Sequence, residues 1–240
     1  MSSPGRGGPD EVVYWCELAL IDGIPQPGVR IAVNGGRFTS ITTGVEPGNA
    51  TRLAGFTIPG MANAHSHAFH RALRSLTQTG RGTFWTWREL MYRAAARLEP
   101  DSYHRLARAV FAEMAMAGVT CVGEFHYLHH QSDGTPYTDR NEMGHALLAA
   151  ATDAGIRITL LDTVYLHGGL DAGGYTAPAG PQLRFSDGAV DAWVERVDAL
   201  RSSDAVTSSD AVTSSDAVTS SDAVTSRDSQ RVGAAVHSVR

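Results

Sequence analysis

Cysteine is nearly absent. Cys16 and Cys121 are the only two in 240 residues, far apart and each in hydrophobic surroundings. That excludes a disulfide framework and leads us to expect two buried, reduced thiols, as in a cytoplasmic protein. A basic stripe is missing too: the formal net charge is -5 and the pI about 6.0, which gives nucleic acid no electrostatic footprint. No run of about 18 apolar residues exists that could span a membrane. Residues 1–10 are polar and rich in Gly, Pro and Ser, without the apolar core of a secretory signal, and are expected to be disordered. The expectation is a soluble, cytoplasmic chain with neither a nucleic-acid nor a membrane partner.

What is present is a globular composition, 42% hydrophobic and 19% charged, arranged in two rhythms. From 11 to 55, short apolar runs alternate with turn chemistry at Asp22-Gly23, Pro25 to Gly28, Asn34-Gly35-Gly36 and Pro47-Gly48-Asn49. Strands are expected at 12–15, 29–33 and 38–42, forming a small β-rich unit. After it, strands at 56–64, 120–127, 157–165 and 232–236 alternate with helices at 85–98, 101–117, 141–154 and 190–200. Such alternation predicts an α/β fold of βα units around a parallel sheet. A complete (β/α)8 barrel takes roughly 250 residues. Residues 56–240 number 185, of which 24 are a repeat, so a partial (β/α)8 barrel of about four units is expected.

The repeat, residues 202–225, is Ser-Ser-Asp-Ala-Val-Thr four times without variation. A six-residue period drifts around an α-helix, and Ser and Asp are poor strand formers. A solvated loop between a helix and the next strand is expected.

Chemistry concentrates at His65-Ser66-His67, at the end of the first expected barrel strand. Residues i and i+2 of an extended backbone share a face, so both imidazoles can reach one metal ion. With ten histidines in the chain, one such triplet is close to chance. Its setting is more specific: Ile58-Pro59-Gly60-Met61-Ala62-Asn63-Ala64 leads directly into it. Glu124, His126, His129 and His130 form a second polar cluster, where another metal site is conceivable. Trp85 and Trp87 read as packing residues, and His104 and His145 as structural ones on helices.

The run PGMANAHSHAFHRAL, then FWTWRELMYR, GEFHYLHH, LDTVYLHGG and the closing His237-Ser238-Val239-Arg240 together resemble the formimidoylglutamate deiminases of the amidohydrolase superfamily. The resemblance implies a zinc ion, one per complete subunit, with His65 and His67 as two of its ligands. It also implies a substrate pocket lined by His70, Arg88, Tyr127, His237 and Arg240, with His70 standing where many relatives have Gln. The reaction implied is zinc-assisted hydrolysis of N-formimino-L-glutamate to N-formyl-L-glutamate and ammonia, by a possible homodimer. Arginine forks suit a dicarboxylate substrate, which a chain of net charge -5 must hold with local cations. In such relatives the catalytic groups and remaining ligands come from the second half of the barrel. No catalytic residue is therefore expected in this chain, which reads as truncated and inactive by itself. Rival readings are a deaminase of a guanine-like or triazine ring, and a non-catalytic remnant.

Overall fold

The computed structural model describes residues 11–77, 82–203 and 229–237. The expected disorder of residues 1–10 lies outside them, as do the repeat beyond Ser203 and Arg240. The described residues divide into two compact units, 11–60 and 61–203 with 229–237.

The first unit is one four-stranded sheet of β1 (Val12–Ile21), β2 (Ile24–Asn34), β3 (Arg37–Thr42) and β4 (Thr51–Thr57), in the order β3-β2-β1-β4. The β1–β2 hairpin closes on Asp22 and Gly23, both at positive φ, which the Asp-Gly pair tolerates. Cys16, Ala19 and Val29 form its small core. The turn expected at Pro25 to Gly28 is instead the first part of β2, pairing with β1. β3 joins β2 only from Arg30 onward, so both prolines lie outside the β2–β3 ladder, where a missing N–H costs no ladder bond and the Pro27 carbonyl still accepts the Gly44 N–H.

The second unit begins with β5 (Met61–Ser66). A single strand over 56–64 is thus corrected to two strands in two sheets, separated by Ile58-Pro59-Gly60, where Pro59 has no N–H to continue a ladder. A 3-10 turn, Ala68–Leu73, follows, then α1 (Phe84–Ala95), α2 (Pro100–Met116), β6 (Val119–His126), α3 (Glu142–Ala154) and β7 (Arg157–Val164). Next come a small hairpin of β8 (Gly169–Asp171) and β9 (Gly174–Thr176), a second 3-10 turn, Gly180–Phe185, α4 (Val190–Arg201) and β10 (Gln230–Val236). The strands β5, β6, β7 and β10 make one wholly parallel sheet in the order β10-β7-β6-β5. The α/β class with a parallel sheet is as expected.

Local chemistry sets the helix limits. Thr83 and Thr86 exchange backbone-to-hydroxyl bonds across the first turn of α1. Pro100 opens α2, where its missing N–H would be unpaired anyway. Gly155 ends α3 at φ 69°. α4 ends on the first repeat residues, with Ser203 Oγ donating to the Leu200 carbonyl at 2.7 Å. The apolar core lies between the sheet and the helices: Tyr103, Ala107 and Phe111 recur at one helical spacing on α2, opposite Met143 and Leu147 of α3 and Val122, Ile158 and Leu160 of the sheet.

Strand alternation then sorts the polar residues. On β6, Val122, Glu124 and His126 are buried on the helix side, whereas Phe125 and the following Tyr127 turn to the opposite side. Cys16 is buried, Cys121 only half-buried, and both are free thiols. Trp85, expected in the packing, is 60% exposed. His104 and His145 sit beside Asp153 and Asp139 respectively. Among the described residues no helix is long and apolar enough to cross a membrane.

Candidate functional site

β5 runs directly into His67, which puts His65 and His67 on one side of the backbone. Their Nε2 atoms lie 3.0 Å apart. His67 Nδ1 is 3.2 Å from the Phe125 carbonyl. That nitrogen therefore carries the proton, and Nε2 keeps its lone pair. Burial, and then the neighbouring His65, lower the His67 pKa to about 4, so the ring is neutral near pH 7. A tetrahedral zinc ion with nitrogen ligands at roughly 2.0–2.1 Å holds those nitrogens about 3.3 Å apart. The pair fits such an ion as two of its ligands. Among the described residues no third His, Cys, Asp or Glu joins it. Glu124 supports the turn from the helix side, its Oε1 accepting the Ala68 N–H at 2.5 Å.

A cavity of about 270 Å³ opens beside the pair. His70, Tyr127 and His237 line it, together with Trp87 and Arg88 from α1. The His70 ring stacks on His67 at 4.5 Å, and its Nε2 lies 3.1 Å from the Tyr127 hydroxyl. Burial, followed by His67, pushes the His70 pKa down to about 3, so this ring too is neutral. His237 follows β10, its ring 5.3 Å from that of Tyr127 and 4.4 Å from that of Tyr165. Arg88 is held from behind: its Nε donates to the Tyr92 hydroxyl at 2.6 Å and an Nη to the Gly168 carbonyl at 3.5 Å. Its guanidinium also lies over the Trp85 and Tyr92 rings. Six of the seven residues singled out in the sequence thus share one cavity, and the seventh, Arg240, lies outside the described residues.

The amidohydrolase family pattern matches residues 56–230, which is most of the chain. The chain belongs to the amidohydrolase family. It is 46% identical over 156 residues to a formimidoylglutamate deiminase of Pseudomonas aeruginosa, a match covering 64% of this chain and 34% of that protein. Among solved structures, an amidohydrolase from Brucella melitensis superposes with a TM-score of 0.68 at 36% identity, covering 79% of this chain and 44% of that one. An atrazine chlorohydrolase from Arthrobacter aurescens TC1, complexed with zinc and atraton, gives 0.59 at 22% identity over 79% of this chain and 42% of its own, a likeness of fold. The chain therefore spans between a third and a half of the length of these relatives.

The polar cluster behind β6 is of another kind. His126, His129 and Asp162 bring ligand atoms within 4.8 Å of one another, but the cation's place is taken. Both Asp162 oxygens accept from Arg196 at 2.8 Å, and Trp193 Nε1 donates to one of them at 2.8 Å. His129 Nε2 is committed to the Thr163 carbonyl at 3.0 Å. A divalent ion there would meet a buried guanidinium, so the conceivable second metal site is instead an ion-pair network.

Several cavity residues have weaker sequence signals. Tyr92 lies one helical turn after Arg88, a spacing that pairs side chains and could have identified it. Phe125 follows from alternation with Tyr127. Tyr165 and His167 lie inside the LDTVYLHGG run without any local mark of their roles. Gln182 touches α1 across 90 positions of sequence, and nothing local announces that.

Proposed function

We propose that this chain contributes two zinc ligands and much of the substrate pocket of a formimidoylglutamate deiminase. That enzyme hydrolyses N-formimino-L-glutamate to N-formyl-L-glutamate and ammonia. The observation that carries this reading is one cavity holding both a convergent imidazole pair and a braced arginine, in a chain 46% identical over 156 residues to such a deiminase.

His65 and His67 would hold the zinc ion, which when bound supplies an acidified water and electrophilic pull on the amidine. Arg88 offers N–H groups to a substrate carboxylate, a charge-assisted and directional contact. The neutral His70 orients the Tyr127 hydroxyl against the cavity. His237 and Arg240 complete the proposed dicarboxylate pocket. The aromatic wall of Phe125, Trp87 and Tyr165 limits water, which strengthens each polar contact inside. In the net reaction water oxygen bonds to the formimino carbon, the bond from that carbon to the terminal nitrogen breaks, and the nitrogen leaves as ammonia. No proton carrier for these steps is assigned to this chain. The four parallel strands are proposed as the first four of a (β/α)8 barrel, with helices on one face and the site at their carboxyl ends. A flat neutral ring, the substrate of the rival deaminase reading, would leave the Arg88 charge without a partner.

The test is metal content together with ligand choice. After dialysis against buffered free zinc, without washing, the chain is expected to hold more metal than the His65→Ala/His67→Ala variant, read by atomic emission, because two imidazoles alone bind zinc weakly. N-formyl-L-glutamate is expected to raise the Tm of the zinc-loaded chain, and guanine or a triazine to leave it unchanged. Equal zinc content in both proteins would remove the metal assignment. Stabilisation by the ring compounds alone would favour the rival.

A further inference from the structure

Gln182 lies in the second 3-10 turn, Gly180–Phe185, and is only 5% exposed. Its side-chain oxygen accepts the Ala179 N–H at 3.1 Å, which fixes the amide's orientation. The amide nitrogen is thereby turned toward three oxygens: the Gly168 carbonyl at 2.7 Å, the Tyr92 hydroxyl at 3.1 Å and the Tyr165 hydroxyl at 3.2 Å. Two of these are the same oxygens that receive Arg88 N–H groups. One buried amide therefore fixes both supports of the arginine, one on α1 and one after β7. The fit around it is close. A Cβ at Gly168 would meet Gln182 Oε1 at 2.5 Å and the Ala177 carbonyl at 2.6 Å, so a glycine is required where that carbonyl turns inward.

We propose that Gln182 is a positioning residue for carboxylate recognition: by holding the Tyr92 hydroxyl and the Gly168 carbonyl, it aims the Arg88 guanidinium into the cavity and sets the preference for a carboxylate-bearing ligand. This rests on the dicarboxylate reading given above. Arg88 is a long side chain with four rotatable bonds, and its rotamer entropy opposes a single pose. With Nε and one Nη engaged from behind, the remaining N–H groups face one direction. Removing the amide leaves the buried Tyr165 phenol and the half-buried Tyr92 hydroxyl and Gly168 carbonyl without its N–H groups, and the Tyr92 hydroxyl and Gly168 carbonyl are then held by the guanidinium without the opposing hold of the amide. Arg88 would then be drawn back from the cavity. Gln182 touches no ligand in this arrangement.

Calorimetry on the zinc-loaded full chain tests this with N-formyl-L-glutamate and its two mono-amides, N-formyl-L-glutamine and N-formyl-L-isoglutamine. The unsubstituted chain is expected to prefer the diacid to the mono-amide that removes the Arg88 partner. Gln182→Met is expected to weaken diacid binding about 10-fold while changing that mono-amide less than about 2-fold. Tyr92→Phe, a milder change that removes one link, should move the same preference in the same direction. In an Arg88→Met background, Gln182→Met should add nothing to the loss. A purely structural role would weaken all three ligands alike and persist without Arg88, and that pattern overturns the proposal. So does an unchanged preference in both Gln182→Met and Tyr92→Phe. If the unsubstituted chain does not distinguish diacid from either mono-amide, the dicarboxylate reading itself fails and the inference goes with it.

Discussion

Replacing Arg196 with methionine is expected to destabilise the second unit by about 3–5 kcal/mol, the cost of leaving buried charges without their partner. Arg196 is 2% exposed, and all five of its N–H groups are engaged. Its two Nη atoms grip Asp162 in a fork at 2.8 Å each. Nε lies 3.0 Å and 3.1 Å from the two Asp187 oxygens. The remaining donors reach Asp187 again and Asn141 Oδ1. Burial alone would push Asp162 up, but charge from His129 and the bonds to Arg196 outweigh it and hold the carboxyl down at about 2. Asp187 is likewise held below the usual carboxylate range, burial again being outweighed, here by bonds from His130 and Arg196. Without Arg196 the Asp162 carboxylate loses its guanidinium fork, Asp187 keeps His130 at 3.2 Å and the more distant Arg140 at 3.8 Å, and the two ionised carboxylates repel each other in a dry site. Lysine at position 196 should recover only part of the loss, because a point charge cannot reproduce two forks. The triple variant Arg196→Met/Asp162→Asn/Asp187→Asn should lose less than Arg196→Met alone, since the uncompensated charges are removed as well. Urea unfolding of the four proteins measures this, and a triple variant weaker than the single one would contradict the account.

This network also shows where the sequence was legible and where it was not. The periodicities of α2 and α3 and the apolar runs of β6 and β7 placed those elements within a residue or two, because each is set by local pattern and by end signals such as Pro100 and Gly155. The His65–His67 pair was legible for the same reason, since two residues along a strand is a local relation. Pro25 and Pro27 misled, because whether a proline fits a strand depends on which edge is unpaired, and that is a property of the sheet. The run over 56–64 misled because two strands of different sheets follow one another with only Ile58-Pro59-Gly60 between them. Glu124, His126, His129 and His130 could be grouped by proximity but not assigned. Alternation on β6 sends Glu124 and His126 to the helix side and Phe125 to the cavity side, and only the partner on α4 shows that a guanidinium already occupies the cation's place. Gln182 was invisible, because its three acceptors lie on segments 14 to 90 residues away.

Acid is expected to unfold the second unit before Asp162 and Asp187, whose carboxyls are held below their ordinary range, are protonated. His126 and His129 are fully buried; burial is the largest influence on both, setting His126 well below its ordinary value and His129 at about 4. The unfolded chain binds protons at these rings below roughly pH 6.5, whereas the folded protein does not. Stability is therefore intact above that value and falls as the pH drops toward 4, by about 1.4 kcal/mol per pH unit for each ring. His70 acts in the same direction, as does the more exposed His67 with a smaller, solvent-screened effect. Glu124 opposes them. Burial raises its pKa to about 7, so it takes up a proton in the folded state as the pH falls from 7 to 4.5, which offsets about one ring's contribution. The net slope leaves at least one uncompensated ring, about 1.4 kcal/mol per pH unit, against a total stability on the order of 5–15 kcal/mol for a domain. Circular dichroism against pH, with a chelator present so that metal release adds no protons of its own, should give an acid midpoint below roughly pH 5. His129→Gln keeps a donor for the Thr163 carbonyl but cannot be protonated. It should therefore move the midpoint to lower pH even if stability at pH 7 declines, and an unmoved midpoint would mean that the buried imidazoles do not control acid unfolding.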